Sequence, residues 1–185
     1  LREIIRLVKP DILHAHSPCL NGIAALRVSK GLPRPVPVLY EMRASWEDAA
    51  VDHGTTSENS IRYKISRAME SWDLRNVDVV TTICEGLRND ILERGIDSSR
   101  VSVIPNGVDI ELFPVITKSD AELRIDLGME DAFVIGFIGS FYGYEGIDLI
   151  IKALPDILKF APNARVLLVG GGKEEVLIKK LVAQM

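Results

Sequence analysis

The sequence predicts an α/β fold made of parallel sheets in two successive units. Short runs rich in Val and Ile alternate with stretches of helical period along the whole chain. Strands separated by helices need crossover connections, which in one sheet are right-handed and leave the strands parallel. Gly and Pro mark most transitions, and an Asn106-Gly107 turn signal interrupts the alternation past its middle.

In the first unit, residues 11–16 (DILHAH) read as a buried strand. A helix over 21–30 ends at Gly31 and the cluster Pro33, Pro35 and Pro37. Residues 36–41 form the next strand, with Pro37 at its start because its ring removes a ladder donor. A long helix is expected over 57–76, with Ser57 as its N-cap and Ile61, Ile65, Ala68, Met69 and Trp72 at helical spacing. Residues 77–83 are a continuous β-branched run, as suits a central parallel strand. A helix over 85–94 closes at Gly95, and residues 101–104 make a further strand. Residues 105–118 hold no convincing period and read as a linker, with the domains divided as 1–113 and 114–185.

The second unit opens with a short helix over 121–127, capped by Gly128. Strands are expected near 133–139 and 165–169, with helices over 147–160 and 173–183. A parallel sheet needs several such repeats to bury both faces. The chain is therefore read as the middle of a larger two-domain protein, and LREIIRLVK at its start as the inside of a helix.

Composition narrows the class. The 185 residues are 47% hydrophobic and 26% charged, ordinary for a globular protein and unlike a disordered one. A net charge of −4 gives no electrostatic reason to expect nucleic acid. No apolar run approaches the roughly 18–20 residues that span a bilayer, and nothing resembles a signal peptide. Cys19 and Cys84 form neither a disulfide framework nor a CxxC pair, so buried free thiols in a cytosolic protein are expected.

Ligands bind at the carboxyl ends of parallel strands, which directs attention to the segments that follow each strand. His14-Ala15-His16-Ser17-Pro18 puts two histidines at i and i+2 on one strand face. His16 either faces a cleft and exchanges a proton with a hydroxyl, or both rings are structural. No third His, Cys or carboxylate stands at ligand spacing to make a metal site. Glu41, Arg43, Glu47 and Asp48 crowd around Trp46. Arg43 can grip a carboxylate or phosphate; the other reading is an internal ion-pair cluster capping a helix that begins near Ser45. His53 is a third candidate in the same region.

In the second unit Gly136, Gly139, Gly143 and Gly146 surround a strand-to-helix turn where the backbone can approach an anion. It is not a P-loop, since no GxxxxGK[ST] occurs. Gly170–Gly172 is a second such turn. Arg62, Lys64, Arg67 and Arg75 give the long helix positive charge, as a solvated face or an interfacial one.

Taken in order, DILHAHSP, VDVVTTICEGLRNDILERGI, VSVIPNGVDIELF, FVIGFIGSFYGYEGIDLIIKALP and ARVLLVGGGKEE resemble glycosyltransferase family 4. This is a group of retaining, sugar-nucleotide-dependent enzymes of GT-B architecture, with two Rossmann-like domains joined by a hinge. EMRASWEDAAVDHG looks like the version in a subgroup associated with exopolysaccharide assembly. The resemblance implies that residues 1–113 are the later part of an acceptor-side domain, and 114–185 a linker and the start of a donor-side domain. It places His16 at the interdomain cleft as the catalytic candidate, with Glu41, Arg43 and His53 lining the acceptor side or cleft. It assigns Gly139, Ser140, Glu145 and Gly146 to the donor diphosphate. Many family members carry an arginine and a lysine where this chain has Ser140 and Glu145.

The resemblance further implies transfer of a sugar from a nucleotide-diphosphate donor to an acceptor hydroxyl, with no cofactor and no obligatory metal. The acceptor would be a sugar, lipid-linked sugar or polysaccharide. Such an enzyme is expected in the cytoplasm, with peripheral contact to the inner face of the membrane. The family's later glutamate pair and its N-terminal glycine-rich loop have no counterpart in these residues, so the fragment alone is expected to be inactive. A sugar-nucleotide 2-epimerase of the same architecture and a non-catalytic nucleotide-sugar binding module are the competing readings.

Overall fold

The computed structural model describes residues 1–116 and 118–185; Thr117, inside the expected linker, lies outside the described residues. The chain divides into two compact units, Leu1–Val108 and Asp109–Met185.

The first unit runs α1 (Arg2–Val8), β1 (Leu13–His16), α2 (Cys19–Lys30), β2 (Val38–Met42), α3 (Trp46–Asp52), α4 (Ile61–Asn76), β3 (Val79–Thr82), α5 (Glu85–Glu93) and β4 (Val101–Val103). The four strands form a parallel sheet in sequence order. Pro37 stands just before β2, where its carbonyl accepts from the Leu13 amide and no ladder donor is lost. Alternate residues of β2 are fully buried, namely Val38, Tyr40 and Met42. They pack with Ala15, Val80 and Val101 from the other strands, and with Ala25, Leu26, Leu74 and Ile91 from helices α2, α4 and α5. Leu39 and Glu41 face the opposite way and remain partly open.

Helix α4 departs from the expectation in two respects. It begins at Ile61 with Ser60, not Ser57, as the cap, the Ser60 hydroxyl accepting from the Tyr63 amide. Asn59 lies at φ 62°, a left-handed conformation that cannot belong to a helix, so an earlier start is blocked. Ile61, Ile65, Ala68 and Trp72 are exposed, whereas Glu70, Ser71, Asp73 and Leu74 are buried. Helical spacing identified a stripe, but the polar stripe beside it is the one packed inward. Gly95, at φ 81°, follows the last residues of α5 and supplies the left-handed turn that ends it.

The second unit comprises α6 (Ala121–Asp126), β5 (Phe133–Ser140), α7 (Ile147–Phe160), β6 (Ala164–Gly171) and α8 (Glu175–Ala183). Asp120 caps α6 by accepting from the Leu123 amide. Strands β5 and β6 pair in parallel over their full eight residues, from Phe133↔Ala164 to Ser140↔Gly171. Phe141, Ile147, Ile151 and Ile178 make a small core against this sheet. Among the described residues no helix is long and apolar enough to cross a membrane. Both cysteines are free; Cys19 is buried, but Cys84 is exposed, against expectation, because it precedes α5 at the open end of β3.

Candidate active site

At the carboxyl ends of the first sheet, parallel pairing places His16 directly beside Glu41. The two-residue period puts His14 on the same face, and its ring stacks on that of His16 with centroids 4.4 Å apart. His14 Nε2 lies 3.0 Å from Glu41 Oε2, and His16 Nδ1 lies 3.8 Å from Glu41 Oε1. The third ligand-type group that linear spacing did not supply is thus provided across the sheet, because register, not sequence distance, sets the neighbour.

Arg43 completes the arrangement. Its backbone amide donates to Ser17 Oγ at 3.2 Å, tying the ends of β1 and β2 together. Its guanidinium donates to Glu41 Oε1 at 2.7 Å and to Asn106 Oδ1 at 2.9 Å. Asn106 stands in the sequence as a turn signal, in a segment after a strand and within a family motif; what sequence reasoning missed is its side-chain bond to Arg43. The two histidine side chains are about half exposed, at 46% and 49%, while Glu41 is 15% exposed. A shielded carboxylate between an open imidazole pair and a guanidinium can fix ring orientation and offset charge that develops on an imidazole. His53 stands at the C-terminal end of α3 and is exposed.

The same acidic segment turns inward six residues after Glu41. Glu47 is fully buried on α3 and accepts from Arg94 Nη2 at 2.7 Å, while Arg94 also bonds Asp90 at 2.6 Å. Burial would lower the Arg94 pKa, yet its bonds to Asp90 and Glu47 outweigh that and raise it. For Glu47, then, the internal ion-pair reading is the one the structure shows. Nearby, Tyr40 Oη donates to Glu70 Oε1 at 2.6 Å. Burial raises the Glu70 pKa despite that bond. Asp73 is pushed up to about 7, by burial first and by the Glu70 charge second. Among the described residues, neither Asp73 oxygen has a hydrogen-bond partner of good geometry.

In the second unit, the segment after β5 passes through Phe141 and Tyr142 into a single 3₁₀ turn, Gly143–Glu145. Gly146, at φ 69°, then opens α7. The two glycine-rich turns are neighbours, since Gly139 pairs with Gly170 and Ser140 with Gly171. A Cβ on Gly170 would lie 1.9 Å from the Gly139 carbonyl oxygen, so this approach requires glycine. Ser140 and Glu145 are exposed. A cavity of about 220 Å³ beside the turn is lined, among the described residues, by Tyr142, Gly143, Asp148 and Glu174 with apolar neighbours, and by no cationic side chain. A larger one of about 750 Å³ adjoins Asp11 and Pro33–Pro37, at the amino ends of β1 and β2, away from where parallel sheets bind ligands.

Parallel sheets in two units, each with its polar or glycine-rich loops at the strand carboxyl ends, define an α/β fold of GT-B type. Alr3699/HepE from Anabaena, solved in complex with UDP, shares it with a TM-score of 0.75 at 19% identity, over 98% of this chain and 46% of that one. The family model for glycosyltransferase family 4 matches residues 1–112, and the chain belongs to that family. A 2-deoxystreptamine glucosyltransferase of Streptomyces kanamyceticus is 25% identical over 191 aligned residues, 100% of this chain and 49% of the relative. The putative glycosyltransferase YtcC of Bacillus subtilis is 33% identical over 106 residues, 54% of this chain and 26% of the relative. The chain therefore spans between 26% and 49% of the length of these two relatives.

Proposed function

We propose that the protein containing this chain transfers a sugar from a nucleotide-diphosphate donor to an acceptor hydroxyl with retention of configuration, in cell-surface or exopolysaccharide assembly. The observation that carries this reading is the convergence of His16, Glu41, Arg43 and Asn106 at the strand carboxyl ends of a family 4 domain. In this reading Glu41 holds His14, whose ring stacks on that of His16 and so presents the half-exposed His16 imidazole to a substrate hydroxyl. Arg43, fixed at two points, presents a cation on the acceptor side.

The donor diphosphate meets the turn that runs through Gly139, Ser140, Glu145 and Gly146, and the positive end of α7. Neighbours solved with UDP and UDP-glucose favour a uridine donor. No cofactor or obligatory metal takes part. The acceptor is a sugar, a lipid-linked sugar or a polysaccharide; a relative in Corynebacterium glutamicum is named as a phosphatidylinositol mannoside mannosyltransferase. Exposed Ile61, Ile65 and Trp72 beside Arg62 and Lys64 on α4 suit peripheral contact with an anionic membrane from the cytoplasmic side.

Incubating the full-length protein with UDP-sugars and sugar acceptors tests the reading. Free UDP together with a glycosylated acceptor of unchanged anomeric configuration is the expected result. An isomerised donor would make it an epimerase, and donor binding without turnover a binding module. The 185-residue chain alone is expected to show no transfer.

A further inference from the structure

We propose that His14, His16 and Glu41 form a site for a divalent transition-metal ion of the zinc class, one that competes with the use of His16 in the reaction. A His-x-His pair on one strand face, with a carboxylate in register on the next strand, gathers two imidazole nitrogens and a carboxylate oxygen. Their ligand-capable atoms all lie within 4.8 Å of one another. Zinc with bonds of about 2.1 Å separates its ligands by about 3.4 Å in a tetrahedron. Glu41 Oε2 lies 3.0 Å from His14 Nε2 and Glu41 Oε1 lies 3.8 Å from His16 Nδ1, so the two half-exposed rings close the set by turning out of their stack toward Oε2. Imidazole and carboxylate together suit zinc, and three protein ligands leave a fourth position open.

The bonding within the cluster allows the ion to enter. Arg43 holds Oε1 of Glu41, whereas the His14 ring lies against Oε2. The ion takes the place of the proton between His14 Nε2 and Oε2, the neutral ring then carries its one proton on Nδ1, and Arg43 keeps its own oxygen. The guanidinium charge beside the ion weakens binding without blocking it. The exposed thiol Cys84 is the competing zinc ligand elsewhere in the first unit.

Calorimetric titration with zinc chloride, and with cobalt(II) read by its visible absorption, tests the site in a Cys84→Ser background. One ion per chain is expected, and His14→Ala or Glu41→Gln should each weaken binding at least ~tenfold. Arg43→Met retains all three ligands and should bind several-fold more tightly, an outcome that does not depend on removing a strand residue. Equal affinity across wild type, His14→Ala and Glu41→Gln overturns the site, as does unchanged or weaker binding by Arg43→Met. In the full-length protein, zinc should suppress transfer and His14→Ala should relieve the suppression about tenfold. That last comparison rests on the proposed transfer reaction, while the titrations do not, so failure of the reaction and failure of the site give different results.

Discussion

Glu41 and Glu47 stand six residues apart, one on β2 and the other on α3, and end in opposite surroundings. Glu41 sits at the rim of the sheet with half-open histidines and an arginine that is 43% exposed. Glu47 is sealed, paired to an Arg94 side chain that is 1% exposed. Charges at the rim stay solvated and can exchange partners with a ligand. Those inside are held by desolvation, since a lone buried charge is far more costly than a pair. Chemical likeness in the sequence therefore says little about role; the depth at which each carboxylate lands decides it.

The contrast is most sharply broken by removing one arginine from each place. Arg94→Met leaves Glu47 and Asp90 without their main partner and should cost about 3–5 kcal/mol in urea unfolding. Arg43→Met should change stability by less than about 1 kcal/mol, because the guanidinium is 43% exposed and the pair sits at the sheet's rim. Comparable losses from both would mean that the rim cluster is structural.

If His16 serves the proposed transfer, His16→Ala should lower kcat of the full-length protein roughly 100-fold or more, as loss of a proton-transferring group does. Its unfolding midpoint should stay near wild type. Wild-type turnover in this variant would remove His16 from the mechanism.

The buried acids also make stability depend on pH. Asp73, held near 7 when folded, keeps a proton between about pH 4 and pH 7 that the unfolded chain releases. Its contribution is full below about 4 and is lost as pH rises through about 7, with the raised Glu70 acting in the same direction. Asp73→Asn should flatten this slope and stabilise the chain at pH 8 by on the order of 1–3 kcal/mol. Denaturation at pH 5 and pH 8 measures it, and an unchanged slope would show that Asp73 is not its source.

The smallest effect belongs to the second unit. Glu145 is exposed close to the start of α7, where an anionic donor is proposed to bind. Glu145→Lys should lower the donor KM about two- to fivefold through a charge interaction of about 0.3–1 kcal/mol. The gain should shrink as salt is added.

Much of the fold was legible in residue order alone. β-branched runs, helix-ending glycines and the position of Pro37 located strands and helices to within a few residues. Glycines 139, 146 and 170 marked the turn in which backbone approaches backbone. The candidate residues were legible as well, because strand ends are where a parallel sheet presents its loops. The bond of Asn106 to Arg43 was not, since it spans 63 residues of sequence. Nor was the orientation of α4. Its apolar stripe satisfies the spacing rule, but Tyr40 beneath the helix bonds Glu70 on the polar side.

Taken by itself, then, the sequence determined the alternation of strands and helices, the family motifs and the chemistry available at each strand end. These depend on local period, turn conformation and residue type, all of which act over a few neighbours. Only the tertiary structure decided that His16 meets Glu41, that Arg43 reaches Asn106, and that Glu47 is buried while Glu41 is not. Those outcomes depend on strand register and on which helix face excludes water, and both are settled by packing between distant segments.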